Sequence, residues 1–418
     1  MRVYKKKVSK WIVRYGNLCN FAVVLQICIK YNKYMIYRDL TDFMLENYKY
    51  FPVITLTGPR QSGKTTLIRE VFKDLPYYSM ENIDIQNFAN NDPVAFLHRD
   101  KRGMILDEVQ NTPHLLSYIQ GIVDENPEKK FILSGSAQFS LMHNVTQSLA
   151  GRTAVLELLP FSLKELRGIL PEMSVDSLIF NGFYPAIHAG KNVPKLFYPA
   201  YTKNYLERDV RQLLQIKDIR AFQVFLRLCA GRIGSLFNSS ELSNEVGVSV
   251  NTIKAWLSLL QASYIVTLLP PYYENSRKRL TKTPKLYFYD TGLAAYLLDI
   301  ENEQQLSHDK MRGHLFENMV VMEFMKNAFN KGRSGNLSFY RDSNGNEIDL
   351  LVAKGGRYTA IEIKSAQTYN SEFEKGLKSA SPELESKIIE RAIVYAGDYE
   401  NTEGKIKLLN FKNSQSLM

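Results

Sequence analysis

The stretch at residues 58–65 restricts the fold of this chain more than any other feature. It reads GPRQSGKT, and it lies between an apolar, β-branched run at residues 51–58 and a helical pattern that begins at Thr66. The absence of side chains at Gly58 and Gly63 would let backbone N–H groups wrap around phosphate oxygens, and the start of the helix would favour negative charge. Strand, glycine-rich turn and helix in this order predict a phosphate-binding loop.

The side chains at the end of this loop indicate ATP and Mg²⁺ as its ligands. Lys64 would reach the β- and γ-phosphates, and the Thr65 hydroxyl would ligate Mg²⁺. We therefore predict that the site binds ATP with Mg²⁺ and that Lys64 takes part in catalysis. The predicted nucleotide contacts are Gly58, Pro59, Arg60, Gln61, Ser62, Gly63, Lys64, Thr65, Thr66 and, from a later strand, Ser134.

A second motif, at residues 103–108, supplies the acidic groups that such a site requires. Its apolar run ends in Asp107 and Glu108. Asp107 would hold Mg²⁺ through water, and Glu108 would polarise the attacking water as a catalytic group. The alternative is an ordinary strand that ends in a solvated acidic turn.

A third apolar strand, at residues 130–136, ends in small polar residues. Ser134 and Ser136 could contact the γ-phosphate or the attacking water. Ser-Gly-Ser is also common in plain turns, so the sequence leaves both interpretations open.

The net charge of +10 is a poor indicator of nucleic-acid binding, because most of it lies in the first 34 residues. That segment holds eight Lys and Arg residues and no acidic residue, so the rest of the chain is nearly neutral. The three cysteines are too few for a disulfide scaffold. They favour a reducing compartment, and we expect a cytoplasmic protein.

Residues 1–34 form a basic leader with an apolar run at residues 18–29, which Asn20 and Gln26 interrupt. A transmembrane helix needs about 20 apolar residues, so this run predicts no membrane span. Three interpretations of the leader stay open: translated upstream sequence that is not native, a surface-lying amphipathic helix, or a targeting signal.

Four runs in one order, GPRQSGKTTL, ILDEVQ, LSGSAQFSL and LAGRTAVLELLPFS, resemble the prokaryotic AAA+-type P-loop ATPases that carry an uncharacterised C-terminal nuclease-like domain. The resemblance implies an α/β fold with a doubly wound parallel sheet and a site at the carboxyl ends of its strands. It also implies an arginine that completes the γ-phosphate site, often from a neighbouring subunit of a homo-oligomer. Arg152 is the candidate for this catalytic role, and structural packing on the sheet is its alternative. Ser134 stands where many AAA+ proteins place a sensor asparagine.

The middle of the chain predicts a helical lid followed by a winged helix. Residues 161–235 look mainly helical, with breaks at prolines and glycines. The next three elements have the order of a winged helix. They are a short helix capped by the serines that begin at Ser239, a second helix at residues 249–261 and a strand at residues 264–269. The wing that would come next is basic, so one interpretation is contact with a DNA backbone, and the other is a protein-interaction or lid element. The basic residues of this wing are Arg277, Lys278, Arg279, Lys282 and Lys285.

The last part of the chain predicts that carboxylates and a lysine converge. Asp349 lies in one strand-like segment, and Glu362 and Lys364 lie two apart in the next, so these last two point to the same face. A helix at residues 313–326 carries Glu317. Such a group can hold a divalent metal and position a water for phosphodiester attack, although alternating charges on an exposed strand often give the same pattern.

This arrangement resembles the PD-(D/E)XK nuclease core. By that resemblance, Asp349, Glu362 and the Ile363 carbonyl would bind Mg²⁺. Lys364 would steer or activate the water, and Glu317 would support the metal from its helix. Acidic and basic residues are balanced in this part of the chain, so any DNA would have to be presented by the winged helix.

These patterns together predict five segments in the chain. We expect an enzyme that hydrolyses ATP and couples this to DNA binding or processing, with Mg²⁺-dependent nuclease activity as a further expectation. The alternative is a nucleotide-driven switch or adaptor whose winged-helix and C-terminal domains bind a protein partner without catalysis. The predicted segments are the leader (1–34), the P-loop ATPase core (35–160), the helical lid (161–235), the winged helix (236–300) and an α/β nuclease-like domain (301–418).

Overall fold

The computed structural model describes residues 36–136, 145, 147–206, 218–272, 283–333, 335–342 and 344–418. The predicted leader and the wing residues Arg277, Lys278, Arg279 and Lys282 lie outside these ranges. Residues Arg38–Met418 belong to one unit of the fold. No helix in the described ranges is long and apolar enough to cross a membrane.

The first part of the described chain alternates strands and helices, as its sequence pattern predicts. The strands are short and apolar, and the helices between them are amphipathic. The elements are α1 (Leu40–Tyr50), β1 (Val53–Thr57), α2 (Lys64–Val71), β2 (Tyr77–Ser79), α3 (Ile83–Asn91), α4 (Pro93–His98), β3 (Gly103–Asp107), α5 (Leu115–Glu125), β4 (Lys130–Ser134) and β5 (Thr153–Glu157).

These five strands form one parallel sheet in the order β2-β3-β4-β1-β5. Every residue of β1 and β3 is buried, because helices cover both faces of the sheet. Adjacent β1 residues face opposite apolar clusters, Val53 one and Ile54 the other. The predicted parallel-sheet P-loop core is confirmed, and its loop leaves the carboxyl end of a strand in the interior of the sheet.

The middle of the chain is helical and ends in a two-stranded antiparallel sheet, which we call the hairpin (β6 and β7). A short helix follows it. The elements are α6 (Val175–Asn181), α7 (Pro185–His188), α8 (Pro194–Tyr201), α9 (Ile219–Ala230), α10 (Ser239–Val246), α11 (Val250–Ala262), β6 (Val266–Leu269), β7 (Lys285–Phe288) and α12 (Thr291–Leu297).

Helices α10 and α11 and strand β6 follow one another at residues 239–269, in the order of two helices and a strand that the sequence predicts there. The Trp256 ring of α11 packs against Phe222 and Phe225 of α9, at centroid distances of 5.4 and 5.5 Å. The predicted serine cap of α10 is wrong, because the Asn238 side chain accepts the first free N–H groups of the helix. Asparagine caps as well as serine does, so the helix still begins where expected.

The last part of the chain is a mixed sheet with a long helix against it. Strands β8, β9 and β10 are antiparallel, whereas β10, β11 and β12 are parallel, and the order is β12-β11-β10-β9-β8. The elements are α13 (Glu303–His308), α14 (Arg312–Asn330), β8 (Leu337–Arg341), β9 (Glu347–Lys354), β10 (Arg357–Lys364), α15 (Pro382–Glu385), β11 (Ile388–Tyr395) and β12 (Lys407–Asn410).

Helix α14 connects this sheet to the rest of the molecule. The Asn318 amide pairs with both backbone groups of Phe288 in β7, at 2.7 and 2.8 Å. Further along, the Glu323 carboxylate accepts the Leu163 N–H at 2.6 Å, and Lys326 donates to a carbonyl of the same segment at 2.9 Å. Both charged side chains are buried, so these bonds replace water. One helix therefore holds the hairpin and the P-loop core together.

Replacing Glu323 with glutamine is expected to flatten the pH dependence of stability. Burial raises the pKa of the Glu323 carboxyl to about 7, from a usual value of 4.5. The folded chain therefore binds this proton more tightly than the unfolded chain, and the Glu323 contribution to the free energy of unfolding is full below the unfolded pKa and is lost as the pH rises to about 7. The contribution is about 1–3 kcal/mol. Thermal unfolding of the wild type and of Glu323→Gln between about pH 5 and 8 measures this contribution. Parallel curves of stability against pH for the two proteins would contradict the prediction.

Candidate functional site

The phosphate-binding loop leaves β1 through backbone conformations that favour glycine. Gly58 has φ +141°, and a Cβ at this position would lie 2.2 Å from the carbonyl oxygen of Leu158. Gly63 has φ +95°, and Lys64 begins α2 directly after it. The unpaired N–H groups of the first helical turn therefore follow the loop, where they favour an anion.

Lys64 lies over the loop and bonds to its main chain. Its Nζ donates to the carbonyl oxygens of Gly58 and Pro59, at 2.9 and 2.8 Å, and the residue is only 6% exposed. Burial lowers the pKa of the Lys64 ammonium to about 8, and the nearby Glu108 and Asp107 carboxylates partly oppose that shift. A phosphate oxygen would bind this ammonium more strongly than a neutral carbonyl does.

Asp107, the last residue of β3, is the point where the polar ends of several strands meet. Its carboxylate accepts hydrogen bonds from the Thr65 hydroxyl at 2.8 Å and the Tyr77 hydroxyl at 2.7 Å. The Ser134 hydroxyl donates to the other oxygen. Burial and the bond to Asp107 raise the pKa of the Tyr77 phenol well above its usual value, so Tyr77 stays a donor. The carboxylate is thereby fixed beside Thr65.

Glu108 follows Asp107 in a left-handed backbone conformation with φ 54°. Its carboxylate accepts a hydrogen bond from the Gln110 amide, whose nitrogen is also 3.5 Å from the Ser136 hydroxyl. The Gln110 Oε1 atom is buried and has no hydrogen-bond partner in the described ranges. Gln110 therefore orients the carboxylate that was predicted to polarise water.

Arg38 clamps the loop from outside, and sequence analysis did not identify it. Its guanidinium donates to the Ser62 carbonyl at 2.8 Å and to the Leu159 carbonyl at 2.5 Å. It also pairs with Glu165 at 3.0 Å. Arg38 is nearly buried, and these bonds tie the loop to the segment after β5. A lone arginine before a helix carries no signal of this role.

The loop fits a nucleotide phosphate with Mg²⁺. The Ser62 Oγ atom is buried and has no hydrogen-bond partner among the described residues, so its hydroxyl can donate a hydrogen bond to a ligand. The Thr65 hydroxyl and the Asp107 carboxylate lie in contact, and hydroxyl and carboxylate oxygens are ligands that Mg²⁺ prefers. With the Lys64 ammonium beside them, these residues would hold ATP and Mg²⁺.

Arg152 lies at the opposite edge of the sheet from this loop. Its carbonyl accepts the Val53 N–H at the start of β1, whereas the loop follows Thr57 at the end of the strand, roughly 15 Å away at strand rise. Its guanidinium forms a two-pronged, partly exposed pair with Asp124, at 2.6 and 2.8 Å. Arg152 therefore cannot reach the phosphate loop of its own chain.

The C-terminal carboxylates lie where β9 and β10 part. The paired register of these strands ends at Leu350 and Ile361. Beyond it, the Asp349 carboxylate accepts the Ile363 N–H at 2.8 Å. The Lys364 ammonium is 2.6 Å from the Glu362 carboxylate and 3.8 Å from the Asp349 carboxylate. The structure therefore brings together Asp349, Glu362 and Lys364, as predicted from their spacing.

Glu317, on α14, is turned to the hairpin instead. It accepts hydrogen bonds from the Tyr287 hydroxyl at 2.6 Å and the Lys285 ammonium at 3.2 Å. Lys285 also pairs with Glu347. Burial raises the pKa of the Glu317 carboxyl, as does the nearby Asp349 charge. The prediction that Lys285 contacts DNA from the wing is wrong, because this side chain is buried in the ion pairs just described.

The arrangement at the C-terminal carboxylates does not fit a bound Mg²⁺ as it stands. Within the described ranges, no three Asp, Glu, His or Cys side chains come together as a metal-binding group. Glu317 bonds to Lys285, and Glu362 bonds to Lys364. Two lysines thus take the places beside the carboxylates that a cation would need.

Comparison with known proteins places the chain in a family. Two curated proteins, "Uncharacterized protein Rv2008c" of Mycobacterium tuberculosis and "Uncharacterized protein Mb2031c" of Mycobacterium bovis, are each 30% identical to it over 354 residues. The aligned region covers 83% of this chain and 77% of each relative. The chain belongs to their family. Residues 50–167 match the model of an AAA domain. Residues 173–304 and 312–413 match models that are each described as a domain of unknown function (DUF8612 and DUF4143).

Three solved structures are among those that resemble part of the chain. The Walker-type ATPase PABY2304 of Pyrococcus abyssi is 17% identical, with a TM-score of 0.43, over 63% of this chain and 96% of that one. A single-residue variant of Thermotoga maritima RuvB is 17% identical, with a TM-score of 0.29, over 58% and 92%. AMPPCP-bound DnaA from Aquifex aeolicus is 15% identical, with a TM-score of 0.29, over 53% and 86%.

The geometry of the AAA domain shows which predicted residues it brings together. Lys64, Thr65 and Asp107 converge at the carboxyl ends of β1 and β3. Ser134 lies beside Asp107, and its hydroxyl donates a hydrogen bond to the Asp107 carboxylate. The supporting side chains that the sequence did not reveal are Arg38, Tyr77 and Gln110, because each acts through a contact with a residue distant in the chain or through a side-chain orientation.

Proposed function

We propose that this chain binds and hydrolyses ATP at its AAA domain. The observation that carries the proposal is the contact of the Asp107 carboxylate with the Thr65 hydroxyl, at 2.8 Å, beside the buried Lys64. A carboxylate at the end of one strand and a hydroxyl at the start of the loop helix form the pair of ligands that a nucleotide-bound Mg²⁺ needs. The match of residues 50–167 to an AAA domain supports the same conclusion.

Each side chain has a defined task in this proposal. Lys64 binds the β- and γ-phosphate oxygens, and Thr65 and Asp107 hold Mg²⁺, which neutralises phosphate charge when it is bound. Glu108 accepts the proton of the attacking water, and Gln110 keeps the Glu108 carboxylate oriented. Proton transfer to a positioned carboxylate contributes about 10²- to 10⁴-fold to such a rate.

The position of Arg152 indicates that the proposed ATPase forms an oligomer. It lies at the far edge of the sheet from its own loop, beside Val53, so it can complete a γ-phosphate site only in a neighbouring copy of the chain. The exposed ion pair of Arg152 with Asp124 contributes little to stability, so a phosphate can readily replace Asp124 as the partner of Arg152. We therefore propose a homo-oligomer in which Arg152 acts across subunits.

Nucleotide turnover is proposed to act on the other domains through two contacts. Tyr264, between α11 and β6, lies 3.4 Å from the Thr57 hydroxyl, next to the loop, and also donates to Glu157. Glu323 of α14 bonds to the segment after β5. We also propose that the chain is cytoplasmic, that it has the five predicted segments and that its partner is DNA. In this proposal residues 236–300 form a winged helix and residues 301–418 form a nuclease-like domain.

The second candidate function is a nucleotide-driven adaptor without cleavage. The observation in its favour is that Lys285 and Lys364 already neutralise the C-terminal carboxylates. Under this alternative, Lys64→Ala abolishes partner binding or assembly, whereas Asp349→Ala leaves every function unchanged. The two proposals share the ATPase and differ in what the C-terminal domain does.

One reaction series tests the ATPase and the nuclease together. The full chain with Mg²⁺ and ATP is followed for phosphate release and for cleavage of single-stranded, duplex and branched DNA. We expect ATP turnover that rises with DNA, and DNA cleavage that Glu362→Ala lowers about 100-fold while ATP turnover is kept. Glu390→Ala, which removes a surface carboxylate paired with Lys407, is the matched control. Turnover with every DNA left intact would favour the adaptor, and no turnover at all would refute the ATPase.

A further inference from the structure

Lys326 of α14 contacts two segments that lie far apart in the chain. Its ammonium donates to the Phe161 carbonyl at 2.9 Å and lies 4.1 Å from the centre of the Phe183 ring. Phe161 lies in the segment that follows β5 (158–165, the post-β5 segment), and Phe183 lies in the loop between α6 and α7 (182–184, the α6–α7 loop). One side chain of the C-terminal domain therefore joins both segments.

The two segments are also bonded to each other. The Phe161 N–H donates to the Phe183 carbonyl at 2.9 Å, and the Phe183 N–H donates to the buried Asp290 carboxylate at 2.7 Å. Lys326 is buried beside them, and burial lowers the pKa of its ammonium to about 8, with the Asp290 carboxylate as the largest of the charges that oppose this shift. The lysine is therefore still largely protonated near neutral pH, where its charge strengthens both contacts.

Both segments lie against the phosphate loop. A Cβ built at Gly63 would lie 3.7 Å from Pro185, the residue after the α6–α7 loop, and 3.6 Å from the Arg38 guanidinium. Arg38 in turn bonds to the carbonyls of Ser62 in the phosphate loop and Leu159 in the post-β5 segment. The two segments that the lysine of α14 joins therefore flank the backbone that would receive the phosphates.

The catalytic carboxylate lies on the other side of the phosphate loop. The sheet order is β2-β3-β4-β1-β5, so Glu108, which follows β3, is two strands away from β1 on the side opposite to β5. A side chain that positions only the β5 side of the loop is expected to change how tightly the phosphates are bound. The chemical step would then stay nearly unchanged, because binding of the substrate and of the transition state would weaken together.

We propose that Lys326 is a positioning residue of the nucleotide site, and that it sets the affinity for ATP from the C-terminal domain. It fixes the post-β5 segment and the α6–α7 loop to each other, and these two segments hold the backbone of Ser62 and Gly63 in place. Because such coupling is reciprocal, bound ATP strengthens the contact of α14 with the AAA domain by the same factor. This inference rests on the proposed ATPase, but it concerns nucleotide affinity and not turnover.

Two measurements on the full chain with Mg²⁺ test this role: the dissociation constant of a fluorescent ATP analogue, and kcat at saturating ATP. Lys326→Met keeps a long unbranched side chain but loses the charge and the bond to Phe161. It is expected to weaken binding of the analogue about tenfold and to change kcat less than about threefold. Phe316→Leu is the matched control, because it loosens the same helix where its ring packs on Phe411, at a centroid distance of 5.6 Å. This control is expected to bind the analogue as the wild type does.

A lysine that only stabilises the fold would give Lys326→Met and Phe316→Leu the same dissociation constant, and that result overturns the proposal. A loss of kcat as large as the loss of affinity also overturns it, because the lysine would then act on the chemical step. Phe183→Leu gives an answer even if Lys326→Met does not fold. It keeps the lysine but removes the ring beneath the ammonium, so it is expected to weaken binding about threefold with kcat unchanged. Unchanged binding by Phe183→Leu overturns the proposal.

Hydrogen exchange without nucleotide separates this inference from the ATPase. Amides of the phosphate loop at residues 60–64 are expected to exchange about tenfold faster in Lys326→Met than in Phe316→Leu, because the flanking segments no longer hold the loop. Equal exchange in the two variants overturns the proposal, even where ATP is hydrolysed. If the variants differ as expected in affinity and in exchange but the wild type never hydrolyses ATP, the proposed ATPase fails and this inference stands.

Discussion

ATP hydrolysis is expected to fall at least about 100-fold when Lys64 is replaced by alanine. The ammonium lies over the loop, 2.9 and 2.8 Å from the carbonyl oxygens of Gly58 and Pro59, and no other described lysine contacts the loop main chain. Its charge is directed at the position where negative charge on the phosphates grows during the reaction. Phosphate release measured under saturating ATP and Mg²⁺ checks the prediction.

The control for this variant is Lys130→Ala. Lys130 begins β4 at the other edge of the same sheet, and its Nζ also donates to a backbone carbonyl, that of Phe51, at 3.3 Å. Each variant therefore removes a lysine whose ammonium donates to backbone carbonyls, but Lys130→Ala leaves the loop unchanged. We expect near wild-type turnover from Lys130→Ala. Turnover by Lys64→Ala within a few-fold of this control would contradict the proposed site.

Gly58→Ala is expected to lower the free energy of unfolding by about 3 kcal/mol and to abolish ATP binding. A Cβ at this position would lie 2.2 Å from the Leu158 carbonyl oxygen, and φ at Gly58 is +141°. The clashing atom belongs to the main chain after β5, which Arg38 ties to the loop through Leu159. Relief of the clash must therefore move the loop itself. Urea unfolding and binding of a fluorescent ATP analogue measure both effects.

Gly190→Ala separates backbone strain from the clash. Gly190 has φ +65°, but nothing lies within 4 Å of a Cβ built there. The left-handed conformation alone costs an alanine about 1 kcal/mol, so this variant is expected to lose that much stability and to keep ATP binding. Equal losses of stability in the two variants would show that the contact with Leu158 is not what requires glycine at position 58.

The nucleotide site could be predicted from the sequence because its signals are local. The GPRQSGKT run specifies its own strand, turn and helix, and the acidic end of β3 follows a run of buried residues. Parallel strands place their carboxyl ends at one edge, so Lys64 and Asp107 had to be close. Tyr77 and Arg38 could not be predicted in the same way. Their partners lie 30 and 24 residues away, and nothing in the sequence specifies such contacts.

In the C-terminal domain, too, the sequence predicted local features but not contacts between distant residues. The spacing of Glu362 and Lys364 on one strand predicted a shared face, and the structure has their side chains 2.6 Å apart. The same sequence also grouped Lys285 with the basic residues of a wing that one interpretation brings to a DNA backbone, and for Lys285 this interpretation was wrong. A cluster of basic residues does not reveal that its last member begins a buried strand. Packing of that strand against α14 places the lysine between Glu317 and Glu347.

The sequence by itself determined the phosphate loop, the strands that precede it and follow it, and the alternation that places charged residues on one face of a strand. Each of these depends on neighbours within a few residues, where chain geometry limits the choices. Only the tertiary structure decided that Arg152 lies away from its own loop, that Glu323 anchors α14 to the AAA domain and that Lys285 neutralises the C-terminal carboxylates. These outcomes depend on which buried charge meets which partner after the domains pack, because a desolvated charge is stable only where that packing supplies an opposite charge or a hydrogen bond.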